Sequence, residues 1–349
     1  MVETVRTAVL GASGFAGGEL IRLLAGHPRF RVTFLGGGAS AGRELAEVHP
    51  HLRGLPSASL PIGPLDPEAI AGAADLVFSA LPHGRSARLA PALLERGSTV
   101  VDLAGDFRLD PDAYPAWYGF DHPAPAWIDK AVYGVPELFG DRLRGAKLVA
   151  NPGCFPTPVI LGCAPLIAAG LIGSEAIRVD GKTGLSGAGR SASEATSFAA
   201  TEDAIRPYRA PGHQHTPEME RGLELATGTT STVAFVPHLV PAVRGVVTTT
   251  YTLGTAATTD VLTTTLAAAY MDQPFVRVLP PGVMVDTKRT RGSNVVELQV
   301  FADERTGTAI VIGALDNLVK GAAGQAIQNA NLVAGLDQGA GLPTAGVYP

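Results

Sequence analysis

A β-branched run at Thr4–Leu10 leads straight into Gly11-Ala12-Ser13-Gly14-Phe15-Ala16-Gly17, and Phe15–Ala25 then carries helical spacing. A strand, a glycine turn and a helix in that order leave few folds open. Glycines let the turn bend sharply and let backbone approach a ligand, while the N–H groups of the helix start point toward it. The spacing is G-x-x-G-x-x-G, close to the usual dinucleotide fingerprint but not identical to it. The strand–turn–helix context therefore carries the reading. Further short apolar runs follow at Arg31–Leu35, Leu76–Ala80 and Thr99–Leu103, with a helical segment at Leu89–Arg96 between the last two. Strands alternating with helices predict a parallel, doubly wound sheet. The fold class expected is α/β, with an N-terminal Rossmann-type domain that binds a dinucleotide.

The second strand ends near Leu35. A site that selects NAD carries an acid there for the ribose 2′-OH. This chain has Gly36-Gly37-Gly38-Ala39-Ser40-Ala41-Gly42-Arg43, with no acid before Glu44. Small residues leave room for a 2′-phosphate, and Ser40 and Arg43 can bind it, so NADP is expected rather than NAD. Leu81-Pro82-His83-Gly84 follows the strand ending near Ala80, and Asp102–Arg108 follows the next. Loops at the carboxyl ends of parallel strands line the ligand crevice. His83 is placed to meet cofactor. Arg108 is placed to meet an anionic substrate group, unless Asp106 holds it in a structural pair.

Residues 151–157 read Asn-Pro-Gly-Cys-Phe-Pro-Thr. Ala146–Ala150 before them reads as a buried strand and Pro158–Ala169 after them as an apolar helix, so Cys154 stands on a strand-to-helix turn. Unpaired N–H groups at a helix start favour negative charge and ease ionisation of a thiol. A thiolate so placed is a good nucleophile for an acyl carbon. The competing reading is a small buried cysteine beside a turn. Cys163, the second of two cysteines, lies inside the predicted helix, where a bridge to Cys154 would be strained.

After Cys154 the pattern changes. Ala176–Asp180, Thr232–Phe235, Val246–Leu253, Asn294–Phe301 and Ala309–Ala314 are β-rich, with one clear helix near Val261–Met271. That pattern predicts an α+β domain with a mixed or antiparallel sheet, whose second face needs cover from a broad partner interface. The loop Gly181–Arg190 is glycine-rich and holds Lys182 and Arg190, but it is not a G-x-x-x-x-G-K-[ST] phosphate loop. Pro211–Glu218 holds His213 and His215 in alternation. They resemble a metal half-site, but no further ligand cluster accompanies them, so no metal is expected. A base that serves Cys154 fits better. A last helix opens at Asp316–Ile327, with Leu318, Ala322, Ala326 and Ala330 as an apolar stripe that packs on the first domain. Asn317 is placed near a nicotinamide amide. The division expected is 1–152 with 316–349, and 153–315.

Composition sets outer limits. At 349 residues the chain is long enough for two cores. A net charge of −5 with no basic stripe argues against nucleic acid. No apolar run reaches a membrane span, and no signal-peptide pattern opens the chain. Thiols without a signal sequence point to a reducing cytoplasm.

Taken together, Gly11–Gly17, Leu81–Gly84, Gly105–Arg108, Tyr133–Leu138, Asn151–Thr157, Ser186–Arg190, His213–Glu218 and Asn317–Gly324 resemble the N-acetyl-γ-glutamyl-phosphate reductase family, nearly end to end. The resemblance implies the semialdehyde dehydrogenase fold, NADPH, Cys154 as nucleophile and His215 as acid/base. It implies reductive dephosphorylation of an acyl phosphate to N-acetylglutamate 5-semialdehyde through a Cys thioester, in arginine biosynthesis, by a homodimer or homotetramer. Cofactor contacts are expected from Gly11, Ser13, Gly14, Phe15, Ala16, Ser40, Arg43, Leu81, Pro82, His83 and Asn317. Substrate contacts are expected from Arg108, Asn151, Lys182, Arg190, His213 and Glu218. Competing readings are a reductase of carrier-protein-linked acyl phosphates, an aspartate-semialdehyde dehydrogenase and a silent NADP-binding regulator.

Overall fold

The structure is a computed structural model and describes residues 4–349. The chain forms two compact units, Met1–Pro152 with Ala322–Leu342 and Gly153–Gly321 with Pro343–Pro349. Asp316–Gly321 and Pro343–Pro349, placed in the first domain from the sequence, thus fold with the second unit. The backbone explains this for the tail: Asn294 N–H donates to Pro343 O (2.9 Å) and Val347 N–H to Arg291 O (2.8 Å).

In the first unit the strands are β1 (Val5–Leu10), β2 (Phe30–Gly36), β3 (Ile62–Gly63), β4 (Leu76–Ser79), β5 (Thr99–Asp102), β6 (Ala131–Tyr133) and β7 (Leu148–Ala150). They form one sheet in the order β3-β2-β1-β4-β5-β7-β6, and every pair is parallel. Parallel strands are covered on both faces and so read as continuous apolar runs; β4 is buried at every position. The connecting helices include α1 (Phe15–Leu24), α2 (Pro67–Ala73), α3 (Arg85–Glu95) and α4 (Pro136–Leu143). The order reverses beside β1, and the turn after β1 therefore sits at a topological switch point. That turn demands glycine: Gly11 has φ +78°, and a Cβ there would lie 2.2 Å from Ala80 O.

The closing segment differs from the expected amphipathic helix. Val319–Ala323 is a π-turn, and Gly324–Val333 is α-helical. Gln325, Gln328, Asn329 and Asn331 are fully buried alongside Ala326 and Ala330. Their amide N–H groups donate to backbone and side chains, as where Asn329 Nδ2 donates to Gly134 O (2.9 Å) and Asn331 Nδ2 to Ala340 O (2.9 Å). An apolar stripe cannot describe a helix whose polar side is also internal.

The second unit carries β8 (Ile177–Thr183), β9 (Arg206–Pro207), β10 (Val233–Leu239), β11 (Val246–Leu253), β12 (Val276–Val278), β13 (Val296–Asp303) and β14 (Thr308–Leu315). They form a mixed sheet in the order β12-β13-β14-β11-β8-β10-β9. Helices α5 (Pro156–Ala168), α6 (His215–Thr227) and α7 (Thr259–Ala269) pack together against one face. The sequence reading held only one helix clear of Cys154 in this half, and α6 corrects it. Its buried side is Thr216, Glu218, Met219, Gly222 and Leu223, of which only two are large and apolar. Such a face leaves almost no helical hydrophobic period to read. Among the described residues no helix is long and apolar enough to cross a membrane.

Candidate active site

β7 ends at Ala150, residues 151–155 turn, and α5 begins at Pro156, a residue suited to the first helical position because its missing N–H is not needed there. Cys154 is half-buried and not in a disulfide. The residue before it is held at both ends of its backbone. Gly153 N–H donates to Glu218 Oε1 at 2.7 Å, and Thr157 Oγ1 donates to Gly153 O at 3.0 Å. Glu218 is fully buried and comes from the first turn of α6. Glycine at 153 lets the imidazole approach, because a Cβ there would lie 2.4 Å from His215 Nε2. On another side a Cβ at Gly321 would lie 2.7 Å from Cys154 Cβ. The turn that bears Cys154 thus lies against the start of α6 at Gly153 and against Gly321 at Cys154 itself.

His213 and His215 have different surroundings. His213 is 3% exposed, and its Nδ1 accepts the His215 N–H at 3.1 Å. Burial, aided by the Arg209 charge, pulls its pKa down to about 4. It is neutral near pH 7, and with Nδ1 accepting, its proton sits on Nε2. His215 is half-buried at the first position of α6. Its ring meets those of His213 (4.7 Å between centroids) and Phe155 (6.0 Å). Tyr208, which the sequence reading did not single out, packs edge-on against His213 at 5.4 Å. Burial, then the charge on Cys154, push its hydroxyl well up, so it stays a proton donor. No motif surrounds Tyr208 in the sequence; only the fold brings it to the thiol.

Other expected residues are placed differently. Lys182 pairs with Asp180 (2.9 Å) and alternates with Gly181, whose side of the sheet packs on Phe155. Lys182 therefore projects to the opposite face, and the structure does not bring it to Cys154. Arg190 is exposed beyond the short turn Leu185–Ala188. Asn317 is an internal brace: its Oδ1 accepts Gly245 N–H (2.8 Å) and its Nδ2 donates to Ser186 Oγ (2.9 Å). Glu218, expected at substrate, instead holds Gly153.

In the first unit, Asn151 is fully buried; its Oδ1 accepts from Asn329 Nδ2 (2.9 Å) and its Nδ2 donates to Ala322 O (3.3 Å). Arg108 is buried, with Nε on Asn151 O (2.7 Å) and Nη2 on Leu103 O (3.0 Å). Asp106 does not pair with it through those bonds; its carboxylate accepts Gly84 N–H (2.8 Å) and Ala87 N–H (2.9 Å) at the start of α3. Around the first glycine turn, no side chain caps α1 and no acid stands in its first turn. A Cβ at Gly14 would meet only Gly11 O, at 3.4 Å, so protein packing does not require that glycine. Ser13, Phe15 and Ala16 complete the turn, with Phe15 40% exposed. Leu81 is buried; Pro82 and His83 are exposed, and His83 rests edge-on against Tyr118 (4.9 Å). Ser40 is half-buried and Arg43 exposed. An open glycine at an uncapped helix start suits a pyrophosphate, and this set fits a dinucleotide.

The burial of His213 has a measurable consequence. The unfolded chain binds its proton near 6.5, the folded chain only near 4. Its contribution to stability is complete above the unfolded value and is lost as pH falls toward the folded one, at most roughly 3 kcal/mol. Urea unfolding at neutral pH and at pH ~4.5 should show that loss, and His213→Gln should remove part of it. An unchanged pH slope in the variant would contradict the assignment.

The chain matches two family models, the semialdehyde dehydrogenase NAD binding domain over residues 6–146 and the semialdehyde dehydrogenase dimerisation domain over residues 154–317. It is 46% identical over 347 residues to N-acetyl-γ-glutamyl-phosphate reductase of Desulforudis audaxviator, covering 99% of this chain and 100% of that one. It is 46% identical over 350 residues to the enzyme of that name from Symbiobacterium thermophilum, with the same coverage. Among solved structures, aspartate semialdehyde dehydrogenase II of Vibrio cholerae superposes with a TM-score of 0.72 at 18% identity, over 95% of this chain and 98% of that one. At that identity the likeness concerns the fold. The full-length relatives settle the family: the chain belongs to the N-acetyl-γ-glutamyl-phosphate reductases of the semialdehyde dehydrogenase group.

Proposed function

We propose that the protein reduces N-acetyl-γ-glutamyl phosphate to N-acetylglutamate 5-semialdehyde with NADPH, as a step of arginine biosynthesis in the cytoplasm. The observation that carries the reading is the seat of Cys154: Glu218 accepts the Gly153 N–H, and His215 Nε2 fills the space where a Cβ on Gly153 would stand. In this reading the Cys154 thiol gives its proton to His215, and the sulfur attacks the acyl carbon. Phosphate leaves and a thioester on Cys154 remains. The Gly11–Ala16 turn would hold NADPH, which would supply the hydride for reduction of that thioester. His215 manages the proton on the former carbonyl oxygen, and the C–S bond then breaks to release the aldehyde. His213 positions His215 through its N–H, and the Tyr208 hydroxyl adds a donor on the thiol side. Arg108 takes the phosphate, its guanidinium being oriented by the carbonyls of Asn151 and Leu103. Lys182 has no part in this reading, and Arg190 remains the candidate for the α-carboxylate.

The test is phosphate-dependent reduction of NADP with N-acetylglutamate semialdehyde, the reverse direction. Cys154→Ser should abolish turnover while leaving NADPH binding intact, and His215→Asn should slow it by roughly 10²–10⁴-fold. A greater loss in His213→Asn would exchange the two histidines. Arg108→Leu should raise the KM of phosphate far more than that of NADP. Efficient turnover of aspartate semialdehyde in place of the longer, acetylated aldehyde would contradict the substrate.

The second sheet supports self-association. Its uncovered face presents Val236, Val247, Tyr251, Ile310 and Ile312 around the ion group of Lys182, Asp180 and His238. A sheet face of mixed apolar and charged residues left without a helix layer suits an interface, and we assign it to a second copy of the chain. Tyr251→Glu should convert the oligomer to a smaller species in sedimentation velocity; an unchanged coefficient would refute this face.

A further inference from the structure

The sequence offers Ser40 and Arg43 for the 2′-phosphate of NADP. Arg43, however, already has an acidic neighbour. Its Nε lies 3.4 Å from Glu47 Oε2, and its Nη2 donates to Glu47 O at 3.3 Å. A second arginine comes from elsewhere in the chain. Arg85 is the first residue of α3, in the connection that follows β4. A Cβ added to Gly38, two residues past the end of β2, would lie 3.6 Å from Arg85 Nη1. The guanidinium of Arg85 therefore stands beside the bare glycine loop at the position from which a doubly wound fold reads the ribose 2′ group. It is exposed, and no hydrogen bond or ion pair engages its side chain among the described residues. Gly38 is exposed too, and nothing else within 4 Å would meet a Cβ on it.

A planar guanidinium with its donors unspent matches a phosphate monoester through paired N–H···O bonds. A guanidinium already beside a carboxylate gains less, because the anion must compete with that carboxylate. We propose that Arg85, and not Arg43, binds the 2′-phosphate and sets the preference for NADPH over NADH. The inference rests on the NADPH reading above and adds the residue that enforces it. It also explains why the loop after β2 can consist of small residues: the cation is supplied from the β4–α3 connection, on the other side of β1.

Calorimetric titration of the full chain with 2′,5′-ADP and with 5′-AMP tests this without turnover. Wild type should bind 2′,5′-ADP more tightly. Arg85→Met should weaken 2′,5′-ADP by about 10-fold or more, as expected for lost charge-assisted hydrogen bonds. It should leave 5′-AMP within about twofold, which also reports that the site is still folded. Arg85→Lys should retain part of the preference, and Arg43→Met most of it. Equal weakening of both ligands by Arg85→Met would mean that Arg85 stacks on adenine and would overturn the proposal. So would a larger loss in Arg43→Met. A preference that survives Arg85→Met defeats this inference alone, whereas a wild type without preference defeats the NADPH reading and this inference together.

Discussion

One hydrogen bond organises the second unit around Cys154: the buried Glu218 carboxylate accepting the Gly153 N–H. A buried carboxylate is expensive unless its oxygens are used, so this contact fixes both partners. It sets the height of the Cys154 turn against α6. His215 stands three residues before Glu218, on the same side of the helix, and is carried to Gly153 by the same contact. The turn tolerates the approach because Gly153 has no Cβ for the imidazole to strike. The placement of both Cys154 and His215 thus depends on a carboxylate that binds the backbone between them in space.

The strand that precedes Cys154 is fixed as firmly within the first unit. Arg108 bonds the carbonyl of Asn151, and Asn329 from the closing helix bonds its side chain. These side chains are polar and internal, and each makes at least one hydrogen bond, which favours keeping polar side chains in a core. The closing helix is accordingly built from glutamine and asparagine where an ordinary packing helix would carry leucine. Its role is to hold the ends of β6 and β7 by directional bonds, which fix position more sharply than apolar contact does.

The first unit was largely legible. β1, β2, β4 and β5 fall within a residue or so of the expected runs because parallel strands are buried on both faces and carry unbroken apolar stretches. The Cys154 turn was legible for a similar reason, since a glycine and prolines bracket it between a strand and an apolar helix. α6 was not, because its buried face is mostly small or polar. Lys182 was misplaced because a strand sends neighbouring residues to opposite faces, and which face holds the site depends on where α5 packs.

By itself the sequence determined the doubly wound first unit, the turn that carries Cys154, the dinucleotide turn and the family. Each is written in local features: periodicity, glycine spacing, a cysteine between a strand and a helix. Only the tertiary structure decided that Glu218 braces Gly153, that His213 is neutral and His215 stands at the thiol turn, and that Asn317 and Asn151 are internal braces. These choices rest on pairings between residues distant in the chain, such as 153 with 218 and 151 with 329. No local pattern encodes such a pairing, because burial, partner and protonation of a side chain follow from what the fold packs against it.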